Sequence, residues 1–366
     1  VNLVVIQDRL RSGGTERQSV LLARAFSEAG HDTTLLTFRP GGALASTVGE
    51  LRHDWLQPFD LGLDWFAPGL ISRLRALAPD LVLCMGRMAN CHAGWIKRAL
   101  PRVSVVASMR TGKRLPFLYR RSLRSVDHVV ANSREARTTL IETYGIAPDR
   151  ISAIANTLVF RPESDSVHEL DLRKEQQASP STFVMACVAM FRPEKNQREL
   201  IEIVANLPRS MDWQLWLAGD GPALADCHHL VEEGNLATRV KFIGWHRNPR
   251  AIYDAADLAV HASWSESLSN FIIEAQAHGL PVVAYHAQGN RECLIDGDTG
   301  FIIPKGDHEA FRSALLRLAD ESAEQRAQRA ARARAFAKNS FDASTLVGAY
   351  LRLFSGLRSQ AKASSV

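Results

Sequence analysis

Short apolar runs and amphipathic stretches alternate along this chain, and their order predicts a repeated strand–helix unit. Residues 2–6 (NLVVI) are a mostly apolar run suited to a buried strand, residues 16–29 carry apolar positions at helical spacing and stop at Gly30, and residues 33–37 (TTLLT) read as the next strand, rich in β-branched threonine around two leucines. That is one βαβ unit. The same logic predicts strands at 81–84, 103–107, 128–131 and 151–154 with helices between them, then a second series at 183–189, 213–218, 240–243, 257–262 and 282–284. Between the two series, residues 161–181 are polar, hold a proline near each end and lack an apolar stripe, as a connecting segment does. From His308 the pattern is helical. Residues 321–338 are charged and rich in Ala and Arg, residues 341–354 regain a stripe through Leu346, Tyr350, Leu353 and Phe354, and the residues from about 355 read as an unstructured end. The fold class is α/β, with one domain at 1–160, a linker at 161–181, a second domain at 182–340, and a terminal helix and tail at 341–366.

A length of 366 residues with 46% hydrophobic content suffices for two buried cores. The five cysteines are scattered, with no CxxC or zinc-finger spacing, which points to a reduced compartment rather than a disulfide framework. Cys84, Cys91 and His92 are close in sequence and are expected as core positions rather than metal ligands. The opening apolar run ends after six residues at Asp8 and Arg9, and no run of 18 apolar residues follows. Neither a signal peptide nor a transmembrane helix is expected, and the expected location is cytoplasmic, with or without peripheral attachment to a membrane. Net charge is +5, unevenly shared: residues 1–160 hold 21 Lys and Arg against 13 Asp and Glu, the rest 23 against 26. The basic half suits an anionic surface or acceptor. No nucleic-acid-binding motif accompanies the charge, so nucleic acid is not an expected partner.

Chemistry concentrates after the strand at 257–262. Residues 265–270 are rich in capping side chains, a helix is predicted from Ser269 or Asn270 to His278, and Gly279 and Pro281 end it before the next strand. The backbone amides of Leu268, Ser269 and Asn270 then point outward at the carboxyl end of a sheet, where a helix N-terminus attracts anions. Two carboxylates, Glu266 and Glu274, bracket the turn. As a glycosidase pair they would have to lie within roughly 5–10 Å of each other, whereas eight residues of continuous helix separate them by about 12 Å. A division of labour fits better, with Glu274 directed at vicinal hydroxyls such as a ribose and Glu266 at whatever lies beyond the phosphates. A capping acid and a solvated helix acid account for the spacing equally well.

Other strand ends carry further candidates. Arg192 and Lys195 follow the strand at 183–189, where a bidentate guanidinium and a point charge suit a diphosphate. Gly219 opens a tight turn after the strand at 213–218, and Ile243, Gly244 and Trp245 close the one at 240–243. Near the N-terminus, Gly13 and Gly14 lie between the first strand and helix, where glycine allows close backbone approach. Arg110 ends the strand at 103–107, and Asn156 ends the one at 151–154. Lys113, Arg114, Arg120, Arg121 and Arg124 are interleaved with Phe117, Leu118 and Tyr119, a composition suited either to an interfacial helix on anionic lipid or to an ordinary amphipathic helix.

Taken together these residues resemble a known family. The segment 266–274 is similar to the EX7E motif of the retaining glycosyltransferases of family 4, the string 190–196 (MFRPEKN) to their "GR…PEKN" element, and the string 13–36 to their first βα unit. The chain departs from the pattern at Ser267 and Phe191, where the family commonly has Gly, and at Arg110, the nearest counterpart of a family His. The resemblance implies a GT-B fold of two facing Rossmann-like domains with a cleft between them, the last helix crossing back to the first domain. It also implies a Leloir-type sugar transfer with no metal or other cofactor. By the same resemblance the diphosphate of a UDP- or GDP-sugar is held by Arg192, Lys195 and the amides near Leu268, Ser269 and Asn270, with Gly13 and Gly14 close by. The ribose goes to Glu274, the sugar to Glu266 and the base to Gly219, Ile243, Gly244 and Trp245. Glu266, Arg192 and Lys195 are the catalytic candidates, and Arg110 the acceptor-side candidate. The implied acceptor is a glycan or lipid-linked precursor of bacterial envelope or capsule polysaccharide. A nicotinamide oxidoreductase would need GxGxxG at residues 11–16, which is missing. A non-catalytic nucleotide-sugar-binding protein and a GT-B epimerase remain open.

Overall fold

The computed structural model describes residues 1–158, 172–246 and 249–363. It separates into two compact units, Val1–Thr157 with Phe341–Val366, and Leu158–Ser340. The greater part of the expected linker, residues 161–171, lies outside the described residues.

The first unit holds strands β1 (Asn2–Gln7), β2 (Asp32–Thr37), β3 (Arg52–Trp55), β4 (Leu81–Cys84), β5 (Ser104–Met109), β6 (His128–Ala131) and β7 (Ile151–Ala153). Its helices are α1 (Gly14–Glu28), α2 (Leu70–Leu77), α3 (Arg87–Ala99), α4 (Phe117–Ser125) and α5 (Arg134–Glu142). The strands pair in parallel in the order β3-β2-β1-β4-β5-β6-β7. Helices cover both faces, so a strand such as β4 (LVLC) is buried at every position, which is why it reads as an unbroken apolar run. Strand β3 (RHDW) was not foreseen. It is an edge strand without buried positions, so no apolar pattern marks it.

The second unit opens with a short helix, α6 (Leu172–Glu175), inside the segment read as linker. Arg173 anchors that segment by donating to the carbonyls of Ala255 and Thr182, at 2.8 and 2.5 Å. Strands β8 (Phe183–Val188), β9 (Trp213–Ala218), β10 (Val240–Gly244), β11 (Leu258–His261), β12 (Val282–Tyr285) and β13 (Gly300–Ile303) follow, with helices α7 (Gln197–Ala205), α8 (Leu224–Glu233), α9 (Arg250–Ala255), α10 (Asn270–Ala277), α11 (His308–Ala319) and α12 (Ala323–Phe341). Their order is β10-β9-β8-β11-β12-β13, again parallel. Gly300 begins β13, and a Cβ there would overlap the carbonyl oxygen of Val282 on the neighbouring strand.

The last helix, α13 (Ala343–Ala363), belongs to the first unit and packs on α1, with the Phe26 ring 5.8 Å from Tyr350 and 5.5 Å from Phe354. It stays helical through Ala363, so the expected unstructured end from about 355 is corrected. Alanine and long straight-chain residues sustain a helix beyond the end of its apolar stripe.

Candidate active site

In each sheet the strand order reverses direction at one place, between β1 and β4 in the first and between β8 and β11 in the second. Ligands of open α/β sheets bind outside the carboxyl ends of the strands at that place. In the second unit the two loops that meet there carry Arg192 with Lys195, after β8, and Glu266, after β11.

These loops are fastened to each other. The Trp264 amide donates to the Glu194 carbonyl at 2.9 Å, and the Ser263 hydroxyl donates to the same oxygen at 3.0 Å. The result sets Lys195 Nζ 2.5 Å from Glu266 Oε1. His261, the last residue of β11, places its Nε2 2.6 Å from that same oxygen. Burial works to raise the Glu266 pKa, but the Lys195 charge and the His261 hydrogen bond outweigh it and hold the carboxyl well below the usual range. Burial lowers the pKa of His261, whose ring is fully enclosed, so the neutral imidazole donates Nε2–H to the carboxylate. Among the described residues His261 Nδ1 has no hydrogen-bond partner, and none is recorded for Glu266 Oε2. Both contacts fall on one oxygen, which leaves Oε2 for a ligand hydroxyl. Arg192 is exposed, and among the described residues its guanidinium has no partner.

A second carboxylate organises the same loops from behind. Glu199 of α7 is buried, accepting from Tyr285 OH at 2.6 Å, His308 Nε2 at 2.9 Å, Trp264 Nε1 at 3.1 Å and the Asn196 side-chain amide. Asn196, in the left-handed region at φ 56°, caps α7 one residue after Lys195. The sequence reading missed both Glu199 and His261. A helix acid and a histidine inside the apolar run LAVH carry no local signal.

Helix α10 starts at Asn270, with Ser269 as N-cap accepting from Ile272 N. Glu274, one turn in, accepts from Tyr253 OH at 2.7 Å. The turn at Gly219 sits hard against the loop after β8: φ is 145°, and a Cβ would overlap the Ala189 carbonyl oxygen. Its amide donates to Gly244 O at 2.8 Å, which joins the ends of β9 and β10 where Ile243 and a 43%-exposed Trp245 are found. Phe191, which departs from the family's Gly, is a core side chain packed 6.1 Å from Phe242.

The candidates of the first unit are placed differently. Gly13 is the N-cap of α1 and Gly14 its first residue; the Glu16 carboxylate folds back so closely that a Cβ on Gly13 would overlap it. An anion beside Gly13 has to displace that carboxylate. Arg110 is an internal strut, donating to Asn156 Oδ1 at 2.6 Å and to Tyr350 OH at 2.8 Å on α13. At the β1/β4 reversal Asp8 accepts from the amides of Met88 and Ala89, the first turn of α3, at 3.0 and 2.8 Å. Burial, with smaller additions from Glu16 and Asp64, pushes its pKa up to about 6. The sequence reading had used Asp8 only to end an apolar run.

Comparison with known proteins finds glycosyltransferases. Residues 12–158 match the model of Glycosyltransferase Family 4, and residues 182–321 that of Glycosyl transferases group 1. The chain is 28% identical over 352 residues to the lipopolysaccharide core biosynthesis glycosyltransferase LpsE of Rhizobium meliloti (strain 1021), covering 94% of this chain and 96% of that one. Among solved structures it is similar to Anabaena Alr3699/HepE in complex with UDP, with a TM-score of 0.80, 22% identity, and coverage of 97% and 99%. The same protein in complex with UDP-glucose gives a TM-score of 0.79 at 23% identity, with the same coverage.

Proposed function

The chain belongs to the family 4 glycosyltransferases (glycosyl transferases group 1) and has their GT-B fold, and from that premise we propose that it moves a sugar from a nucleotide-diphosphate donor, UDP- or GDP-linked, to a glycan or lipid-linked acceptor of bacterial envelope or capsule polysaccharide. The transfer retains the anomeric configuration and uses no divalent metal. The observation that carries this reading is the pairing of Lys195 with Glu266 between the two loops at the strand-order reversal of the second sheet, one of which also carries the exposed Arg192.

Arg192 takes the diphosphate in bidentate fashion and Lys195 adds a point charge. With the amides of Leu268, Ser269 and Asn270 they stabilise the negative charge that grows on the departing phosphate, the part a metal would otherwise play. Oε2 of Glu266 accepts from a hydroxyl of the donor sugar, Glu274 accepts from the ribose, and Gly219, Ile243, Gly244 and Trp245 border the base. Gly13 and Gly14 are the first unit's candidates for the donor diphosphate. The acceptor hydroxyl attacks on the leaving-group face, and its proton passes to the departing phosphate oxygen. The similarity to LpsE supports an envelope-glycan acceptor, and that to the UDP-bound HepE supports a uridine donor. Arg110, committed to Asn156 and Tyr350, is assigned to shaping the acceptor side rather than to touching the acceptor. The enzyme works in the cytoplasm, with Lys113, Arg114, Arg120, Arg121 and Arg124 at the inner face of the membrane.

Thermal stabilisation by UDP, GDP, ADP and NAD, compared between wild type and Glu274→Ala, tests the donor site. A ligand at a thousandfold its dissociation constant stabilises by about 4 kcal/mol. UDP or GDP should stabilise the wild type and much less the variant; a shift with NAD alone overturns the reading.

A further inference from the structure

The loop at residues 58–66, between β3 and α2, has its two acids paired and its large apolar side chains exposed. Asp60 and Asp64, each about a third exposed, both reach the buried Arg39: Asp60 Oδ1 lies 2.7 Å from Arg39 Nε and Asp64 Oδ1 lies 2.6 Å from Arg39 Nη1. Arg9 and Arg11 complete the neutralisation of Asp60 and Asp64. Gln57, fully buried, donates to the carbonyls of Leu63 and Phe66, each at 2.7 Å. The loop is thus held in one shape with its charges cancelled, while Phe59, Leu61, Leu63 and Trp65 face water, Phe59 at 65% and Trp65 at 60% exposure.

Two further exposed apolar side chains belong to α4, which is joined to the loop through α3. His92 of α3 bonds the Trp65 carbonyl at 3.2 Å, and α3 packs on α4, whose first residues Phe117 and Leu118 are 66% and 59% exposed. The loop follows β3 and α4 follows β5 in a parallel sheet, so both emerge at the carboxyl edge of the strands, the edge where ligands are met. The basic residues of 113–124 flank this apolar set, with Lys113, Arg114, Arg121 and Arg124 exposed. An exposed apolar patch rimmed by cations is complementary to the surface of an anionic bilayer, which accepts aromatic and aliphatic side chains at headgroup depth.

We propose that residues 58–66, together with the start of α4, form an apolar wedge that inserts into an anionic membrane and seats the first unit's acceptor edge on it. The inference rests on the inner-membrane location proposed above and adds the inserting element, with Arg39 as the buried strap that pairs with the wedge's two acids.

Co-flotation of the full chain with vesicles of phosphatidylcholine, alone or containing phosphatidylglycerol, tests it. The wild type should float with the anionic vesicles. Leu61→Ser with Trp65→Ser should weaken partitioning about tenfold or more through lost apolar burial. Arg121→Glu with Arg124→Glu should weaken it at least as much and abolish its salt dependence. Unchanged thermal unfolding and unchanged stabilisation by UDP show that each variant is folded and the donor site intact. If the serine variant floats like wild type while the charge-reversal variant does not, the wedge is refuted and electrostatic attachment stands. If wild type floats with neither vesicle, the wedge and the membrane location both fail, leaving the donor-site reading to its own test. If the serine changes dissociate a dimer instead, the patch is a contact between copies and the inference is overturned.

Discussion

Replacing Lys195 with methionine tests the electrostatics of the candidate site directly. The Glu266 side chain is 9% exposed and that of Lys195 23%, so the charge left behind is poorly hydrated. Removing one member of a buried ion pair costs about 3–5 kcal/mol. His261 still donates to the same oxygen and Lys195 is partly exposed, which reduces the expected loss to about 2–3 kcal/mol. For a unit the size of Leu158–Ser340 that is roughly 5–10 °C in Tm. The pH dependence carries the sign. In wild type the folded-state pKa of Glu266 is depressed, so its stabilisation is complete above the unfolded value of about 4.3 and is lost as pH falls below it. Without Lys195, burial dominates and raises the folded-state pKa, so the variant's deficit should shrink as pH is lowered from 7 to 5. Urea unfolding of wild type, Lys195→Met, Glu266→Gln and the double variant at both pH values closes the cycle, with an expected coupling of about 1–2 kcal/mol. A Lys195→Met protein within about 0.5 kcal/mol of wild type at both pH values, additive with Glu266→Gln, would refute the reasoning.

Two further predictions concern the first unit. Arg110→Met removes two hydrogen bonds from a charged donor and should cost about 2–3 kcal/mol, read as faster amide exchange in α13; Tyr350→Phe, losing one of them, should cost about half as much, and unchanged exchange in α13 for Arg110→Met contradicts the strut. Asp8 has its pKa raised to about 6, so its contribution is most favourable below the unfolded value of about 3.9 and is lost as pH rises through 6. Asp8→Asn cannot ionise, so its stability relative to wild type should rise by about 2 kcal/mol from pH 4 to pH 7; urea midpoints that shift in parallel contradict the burial argument.

The strands that could be read from the sequence are those buried on both faces. LVLC, HVVA and VVAY are apolar because helices cover them from either side. RHDW is not, since an edge strand needs only backbone partners on one side. At the candidate site the motif resemblance singles out Arg192, Lys195, Glu266 and Glu274 one by one, but it does not show that Lys195 and Glu266 meet. Lys195 and Glu266 are 71 residues apart and meet because β8 and β11 are neighbours, a matter of strand order. His261 and Glu199 were illegible for a related reason, as their roles come entirely from partners distant in the chain. Arg110, a polar residue at a strand end, likewise bonds a partner the sequence does not reveal, Tyr350, 240 residues later.

Lys195 is already neutralised by Glu266, and that has a consequence for the proton inventory of ligand capture. An anion that draws the ammonium towards itself leaves the enclosed carboxylate with only a neutral imidazole for company, and the proton affinity of Glu266 rises as Lys195 departs. Anion capture at this loop is therefore linked to the proton affinity of Glu266 in the direction of uptake, a linkage read from how the calorimetric heat varies with the ionisation enthalpy of the buffer.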